Sequence, residues 1–244
     1  MKIALSAETY REPDAYKAER QAIWATEWIM FCTTAELTKS GDYFAGELAG
    51  FNLLIVVDPE GSIIGIHNVC PHRAGVLAWP GLGTLGNLVC KYHGWAFGWD
   101  GQLKSARDFG NDEPLCAEHS ELKKIRVETW GPLVFVCLSE ETPPLIESLG
   151  SLVDRATSFP IETFSHACQL TRELDCNWNI HVDRYLEILR TNVENESTST
   201  SRLFFHYPNL FIKVDTENMH VERILPNGHE KTQILHNHYS FTNS

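Results

Sequence analysis

The stretches CPHRAG at residues 70–75 and CKYHG at residues 90–94 each supply one thiol and one imidazole. Thiolate and imidazole ligands suit zinc, copper, iron or an iron–sulfur cluster. A common structural zinc finger places its like ligands together, whereas each stretch here offers one ligand of each kind. This alternation favours a two-iron cluster in which one iron takes both thiolates and the other takes both imidazoles. The four candidate ligands are Cys70, His72, Cys90 and His93.

The residues around these pairs resemble a known signature. The run CPHRAG…CKYHGWAFGWDGQL is similar to the Rieske [2Fe-2S] motif as it occurs in the α-subunits of Rieske non-haem iron oxygenases. The similarity includes Arg73 after the first histidine and the DGQL that follows YHGW. The resemblance implies a [2Fe-2S] cluster as cofactor, bound by the two cysteines and two histidines. A structural zinc module remains the alternative for the same residues.

Composition limits the possible partners. The chain has 244 residues and a formal net charge of −12 at pH 7. Nucleic acids and anionic membranes bind basic patches, so neither is an expected partner. The N-terminus lacks the pattern of a secretory signal, and no apolar run has the length that crosses a bilayer. The seven cysteines, an odd number, do not indicate a disulfide framework. We therefore expect a cytoplasmic protein.

The chain divides into three blocks by pattern. Residues 1–40 form an N-terminal segment in which PDAYKAERQAIWATEWIMF, residues 13–31, is predicted to be helical. Residues 41–144 contain short β-rich runs separated by turn signals such as WPGLG, which predicts an all-β domain carrying the cluster. Residues 145–244 mix helix and strand. The expected fold class is α+β, and the resemblance implies that the last block is an incomplete catalytic-type domain with a helix-grip-like antiparallel sheet.

The last block contains a second resemblance. CNWNIHVDRYLE at residues 176–187 is similar to the helix with which the oxygenase family opens its catalytic site. By position, the resemblance implies that Glu187 is the acidic residue that links the cluster of one subunit to the iron centre of its neighbour. Asp183 lies four residues earlier and shares its helix face. Two solvated carboxylates on a helix surface remain the alternative interpretation.

The mononuclear iron ligands of the family are not identifiable. The resemblance implies Fe(II) bound by a His-x4-His pair and a later carboxylate, and the pair is expected at positions 190 and 195. These positions hold Arg190 and Asn195, and a guanidinium has no free lone pair for a metal. Two explanations stay open: loss of the iron site, or absence from this sequence of a segment between about residues 188 and 203 and of residues beyond Ser244.

A weaker candidate set for the second iron lies on predicted strands. His236 and His238 alternate along one predicted strand and share a face, and Glu222 is expected nearby in the same sheet. The alternative interpretation is that these polar residues of a strand simply face solvent.

The resemblance implies the terminal oxygenase component of a Rieske system. Electrons from a ferredoxin or a flavin reductase would reach the cluster and support O2-dependent hydroxylation or demethylation of a small organic substrate. The resemblance also implies a homo-oligomer, most simply a trimer, because head-to-tail contacts close into rings. The alternative function is a Rieske electron-transfer protein without oxygenase activity. The sequence does not identify the substrate, does not distinguish monooxygenation from dioxygenation, and does not tell whether a β-subunit is present.

Overall fold

The computed structural model describes residues 8–106, 121–159, 161–192 and 201–241. The chain separates into two compact units, one of Cys32–Val127 and one of Met1–Phe31 with Glu128–Ser244. The domain boundaries at residues 40 and 144 that the sequence suggests stay predictions.

The described residues form helices and strands with the following bounds. The α-helices are α1 (Pro13–Glu19), α2 (Leu145–Leu149), α3 (Ser151–Ala156) and α4 (Trp178–Asn192). The strands are β1 (Ile29–Thr33), β2 (Asp42–Leu48), β3 (Phe51–Val57), β4 (Ile63–His67), β5 (Gly81–Thr84), β6 (Leu88–Val89), β7 (Ala96–Phe97), β8 (Leu103–Ser105), β9 (Lys124–Trp130), β10 (Leu133–Cys137), β11 (Phe164–Leu174), β12 (Arg202–His206), β13 (Leu210–Val214), β14 (Asn218–Pro226) and β15 (Thr232–Phe241). Within these ranges, no helix combines the length and the apolar character needed to cross a membrane.

The Cys32–Val127 unit is built on antiparallel strands. Strand β3 pairs with β2 on one side and with β4 on the other, and β2 also pairs with β5. A small sheet of β6, β7 and β8 carries the second cluster stretch between β6 and β7. The core of this unit surrounds the two candidate cysteines, and its large members include Leu54, Val56, Ile66, Leu77, Trp95 and Phe97. The cluster stretches are therefore loops anchored in a packed β-core.

The other unit contains a five-stranded antiparallel sheet and the long helix α4. The strand order is β11-β15-β14-β13-β12. In the first half of β14 alternate residues are buried, with Met219 and Val221 in the core, while the residues between them face the opposite side of the sheet. Together with the β-rich cluster unit, this arrangement confirms the predicted α+β class.

Three local predictions differ from the structure. The N-terminal helix does not reach residue 31: a π-helical turn ends at Trp24, and Ile29–Thr33 is a strand. The hydroxyl of Thr26 donates to the Ala22 carbonyl at 2.7 Å, and the five residues of β1 are all buried. A continuous buried run fits helix and strand patterns equally well, so periodicity did not separate them.

The other two differences concern polar or glycine-rich strands. The stretch WPGLG contains the first residues of β5, which pairs with β2. The sequence does not predict strand β11, because nearly all of its residues are at least partly exposed and show no alternating pattern. The strand forms because it pairs with β15 along almost its whole length.

Candidate functional site

The two cluster stretches form loops with the same backbone hydrogen-bond pattern. In the first, the Cys70 amide donates to the Gly75 carbonyl at 2.7 Å, and the Ala74 amide donates back to the Cys70 carbonyl at 2.9 Å. The second loop repeats both bonds at the same offsets from Cys90, at 2.8 and 3.1 Å. The fourth residue after each cysteine has a left-handed φ, 55° at Ala74 and 71° at Gly94. Each loop therefore presents its cysteine and histidine in the same way.

The loops bring like side chains together. The Cys70 and Cys90 side chains are both buried and contact each other. Burial raises the pKa of the Cys70 thiol to about 11; the His72 amide opposes this, and the Cys90 thiol adds to it. The rings of His72 and His93 lie with their centroids 4.8 Å apart. Two thiols thus face each other and two imidazoles lie side by side, which is the grouping expected of two chemically different irons.

Aromatic side chains fix the histidine rings. His72 stacks on Trp95 with the ring centroids 4.4 Å apart and the planes 2° from parallel. His93 stacks on Tyr92 with the centroids 3.7 Å apart. Trp95 is fully buried, so the His72 ring rests against an immobile surface.

The loop backbone leaves space beside the sulfur atoms. A Cβ added at Gly75 would lie 2.9 Å from the Cys90 Sγ atom and 2.7 Å from the Tyr92 Cβ atom. The Tyr92 amide lies 3.5 Å from the same sulfur and donates to it. Amides directed at ligand sulfur atoms stabilise the reduced cluster and raise its potential. The donor set, the glycine and the amides fit a [2Fe-2S] group.

Comparison with known proteins agrees with this geometry. Residues 27–125 match the Rieske [2Fe-2S] domain family. The match includes all four candidate ligands and favours the two-iron interpretation over zinc. Choline monooxygenase of Arabidopsis thaliana is 30% identical over 189 residues, and the oxygenase subunit of carnitine monooxygenase of Acinetobacter pittii is 30% identical over 181 residues. The chain contains a Rieske [2Fe-2S] domain and is similar in sequence to choline and carnitine monooxygenases.

The similarity to Rieske oxygenases covers this chain more fully than it covers the relatives. Both sequence alignments span 73% of this chain, but 44% of the Arabidopsis protein and 48% of the Acinetobacter protein. The chain thus matches about half the length of these curated relatives. A solved quaternary ammonium Rieske monooxygenase, CntA, superimposes with a TM-score of 0.85 at 24% identity, over 99% of this chain and 76% of that one. This superposition establishes a Rieske oxygenase fold.

Helix α4 places the carboxylate proposed from the sequence at the surface. Glu187 is exposed and lines a shallow pocket of about 360 Å³ that also includes Asp183 and Tyr10. The Tyr10 hydroxyl donates to Asp183 at 2.7 Å, and this hydrogen bond, with burial, raises the pKa of Tyr10 to about 12. The predicted shared face of Asp183 and Glu187 is therefore present, and Glu187 is accessible from outside the subunit.

The first mononuclear iron position does not fit a metal. Arg190 is exposed near the end of α4, and its guanidinium stays protonated. Asn195, at the second position, lies outside the described residues. In the described ranges, no three His, Cys, Asp or Glu side chains meet as a group that could hold one metal ion. A Rieske cluster does not require such a group, because each of its irons takes only two side chains.

A cavity of about 940 Å³ lies over the five-stranded sheet, lined by the opposite face of α4. Tyr185 of α4 donates a hydrogen bond to Glu222 of β14. His236 Nδ1 lies 3.4 Å from Glu222 Oε1, and His181 Nε2 lies 3.9 Å from Glu222 Oε2. His220 is a further histidine of the same cavity lining.

This geometry goes beyond the weaker set of His236, His238 and Glu222 that the sequence suggests. The structure places all three in the cavity lining and adds His220 and Tyr185 to it, while His181 lies near Glu222. The available signal for His220 was its position two residues before Glu222, which places both on one face of a strand.

The Glu222 carboxylate is ionised at neutral pH. Burial by itself would raise its pKa, but the interactions with His181 and Tyr185 and the charge of His236 outweigh burial and lower the pKa. Aromatic rings adjoin the carboxylate: Tyr185 and Phe211 lie 4.0 Å apart between centroids, and Phe205 stacks on Phe211 at 4.4 Å. The cavity lining thus combines the Glu222 carboxylate and several aromatic rings with two cationic side chains, Arg155 and Lys213.

Proposed function

We propose that the chain is the terminal oxygenase component, the α-subunit, of a Rieske system. Its cluster would accept electrons for the O2-dependent hydroxylation or demethylation of a small organic substrate. The observation that carries this proposal is the pairing of thiol with thiol and imidazole with imidazole in two matched loops. Cys70 and Cys90 would hold one iron, and His72 and His93 the other. When bound, the cluster supplies one-electron transfer.

The cavity over the five-stranded sheet is the proposed substrate site. Its ionised Glu222 and the rings of Tyr185, Phe205 and Phe211 suit a small organic cation, because a cation gains from a carboxylate and from aromatic faces together. The named relatives act on choline and carnitine. We therefore propose a quaternary or protonated amine as the substrate class.

The proposed partners are a ferredoxin or a flavin reductase as electron donor, and further copies of this chain in a ring, most simply a trimer. Exposed Glu187 would connect the cluster of one copy to the catalytic centre of the next. Electron transfer between subunits has been described for a quaternary ammonium Rieske monooxygenase of this fold. The cytoplasmic location suggested by the sequence stays a prediction.

Arg190 is the observation that favours the alternative, a Rieske electron carrier without oxygen chemistry. It occupies the position expected for an iron ligand and cannot coordinate a metal. The lined cavity of about 940 Å³ supports the oxygenase instead, since a protein that only carries electrons has no use for a charged and aromatic cavity.

Spectroscopy of the 244-residue chain tests the proposal. We expect a Rieske-type absorption spectrum, an EPR signal after reduction, and equal amounts of iron and acid-labile sulfide. His72→Ala and His93→Ala should each shift or abolish the signal, while His229→Ala, in a surface turn of the other unit, should not. A zinc content of one per chain without sulfide would contradict the proposal.

Oxygenase activity is tested separately from cluster function, because the chain matches only about half the length of its curated relatives. By itself, the reduced 244-residue chain is expected to pass electrons to O2 without forming hydroxylated or demethylated product from choline or carnitine, because Arg190 stands at a ligand position. Product coupled to reoxidation of the cluster would show instead that this chain binds a second metal, and His236 and His238 would then be the first residues to replace.

A further inference from the structure

Four polar side chains form a two-by-two array in the cavity of about 940 Å³. In the antiparallel pairing of β14 with β15, His220 lies opposite His238, and Glu222 lies opposite His236. Residues two apart on a strand share a face, so all four side chains project from the same side of the sheet. The array lies in the unit that does not contain the cluster loops.

The separations between facing groups match those of ligands on a shared metal. The Nδ1 atoms of His220 and His238 lie 3.2 Å apart, and His236 Nδ1 lies 3.4 Å from Glu222 Oε1. A tetrahedral ion with bonds of about 2.1 Å places its ligand atoms about 3.4 Å apart. His–x–His on one strand with a third histidine on the facing strand also provides three imidazoles, a ligand set that holds Zn²⁺ and leaves a fourth position open.

One imidazole in the array has an unused nitrogen. The Nε2 atom of His236 is buried and makes no hydrogen bond in the structure, although buried polar groups ordinarily have a partner. Neutral imidazole is the form that binds metal. The Glu222 carboxylate faces His236 and would offset the positive charge of a bound cation.

We propose that His220, His236 and His238 form a binding site for one divalent first-row transition ion, such as Zn²⁺ or Co²⁺, with Glu222 as its carboxylate neighbour. The site is separate from the cluster loops and from positions 190 and 195. It lies in the proposed substrate cavity and shares Glu222 with that proposal, but it does not depend on the proposed oxygenase activity. The three imidazoles do not yet converge on one point, and closing the site requires rotation of their rings. The χ2 torsion of histidine is broad, and facing Cβ atoms lie only about 5 Å apart.

Lys213 is a positively charged side chain near the proposed metal site. It lies opposite His220 across β13 and β14 and lines the same cavity. Its amine would repel a cation that approaches, but the long side chain can move toward solvent because Lys213 is exposed. Replacement of Lys213 by Met should therefore strengthen metal binding, which a site elsewhere on the protein would not do.

Equilibrium dialysis of the whole chain against Zn²⁺ tests the inference, with zinc and iron measured together in each sample. We expect one zinc per chain bound with unchanged iron, so that displacement of the cluster is distinguished from a new site. His220→Asn and His238→Asn should each weaken binding by about 100-fold or more, and Glu222→Gln by about 10-fold, the loss typical of an outer partner. His229→Asn is the matched control and should bind zinc as the unaltered chain does.

Two results would overturn the inference. Zinc uptake that is equal in His220→Asn, His238→Asn and the unaltered chain would place the metal elsewhere, and zinc uptake with matching loss of iron would place it in the cluster loops. Near-ultraviolet circular dichroism of each variant without zinc establishes that the unit is folded. Since the cluster spectrum is recorded on the same samples, failure of this inference leaves the proposed electron transfer testable on its own.

Discussion

A single missing Cβ lets the two cluster loops approach each other. Gly75 faces the Cys90 sulfur and the Tyr92 Cβ atom. Cys90 is 4% exposed, and the Tyr92 Cβ atom can move only with its backbone. The distance of 2.9 Å from an added Cβ to Sγ is shorter than real contacts of this kind. At the residue scale, the cluster site therefore depends on Gly75, although this residue supplies no ligand.

Gly75→Ala should prevent normal assembly of the cluster. The added methyl group must displace the Cys90 sulfur or the Tyr92 backbone, and overpacking of this kind costs about 1–3 kcal/mol. The measurement is iron and sulfide per chain, with the visible absorption spectrum. Gly86→Ala is the matched control, because a Cβ there meets nothing within 4 Å. Equal iron content in the two variants would contradict the prediction.

His206 should make the stability of the chain depend on pH. Burial lowers its pKa from 6.5 to about 4, so the folded state favours the neutral ring more than the unfolded state does. The contribution of His206 to stability is complete above pH 6.5 and is lost as the pH falls toward 4. From pH 7 to pH 5, this loss amounts to about 2 kcal/mol.

The test for His206 is urea unfolding of the chain and of His206→Phe at pH 7 and pH 5. The ring of Phe135 lies edge-on to His206 at 6.1 Å, so an aromatic replacement keeps a partner. The variant should lose about 2 kcal/mol less on acidification than the unaltered chain. An identical pH dependence of the two proteins would show that His206 does not titrate in this range.

At the scale of elements, helix α4 is anchored at its first residues by the N-terminal segment. Trp178 is fully buried and packs edge-on against Trp24 at 4.9 Å. Glu19 accepts hydrogen bonds from the Trp178 indole at 2.8 Å and from the Asn179 amide group at 2.7 Å. The carboxylate thereby fixes the start of the helix that places Tyr185 over the cavity.

Glu19→Ala should destabilise this unit by about 1–3 kcal/mol, because it leaves the buried Trp178 indole N–H without its acceptor. The loss is measured by urea unfolding monitored by tryptophan fluorescence. Glu140→Ala removes an exposed carboxylate and should change the free energy of unfolding by less than about 0.5 kcal/mol. A Glu19→Ala variant as stable as Glu140→Ala would mean that solvent replaces the carboxylate at no penalty.

Some of these elements are predictable from the sequence, and others are not. Ligand spacing located the cluster loops, because coordination chemistry restricts those residues directly. The end of the N-terminal helix near Trp24 and the existence of β11 were not predictable from pattern alone, since each depends on tertiary pairing. The sequence predicts that His236 and His238 share one face of β15. It does not predict that His181 and Tyr185 reach Glu222, because that contact depends on the packing of α4 against the sheet.

At the scale of the whole molecule, the negative net charge and the exposed Glu187 affect how copies of the chain can associate. The formal net charge is −12, and Glu187 stands exposed beside Asp183. A neighbouring copy that covers this carboxylate pair would have to present compensating hydrogen-bond donors, because unpaired buried charges are strongly unfavourable.

The proposed ring predicts a trimer in light scattering at micromolar concentration. Glu187→Gln keeps the shape of the side chain and removes its charge, so assembly should persist while electron transfer between subunits slows. Glu147→Gln, on exposed surface of α2, serves as the control for removal of one negative charge. A monomer under these conditions would favour the electron-carrier alternative.

The parallel stacking of His72 on Trp95 has an optical consequence. An indole held 4.4 Å from a ligand ring lies well within the range of energy transfer to a coloured group bound at that ring. Emission from Trp95 should therefore be quenched in the iron-loaded chain and should return when chelation removes the metal. Trp95→Phe should reduce that recovery more than replacement of a tryptophan in the other unit, such as Trp130→Phe. The protein would thus report its own metal loading through fluorescence, without any added dye.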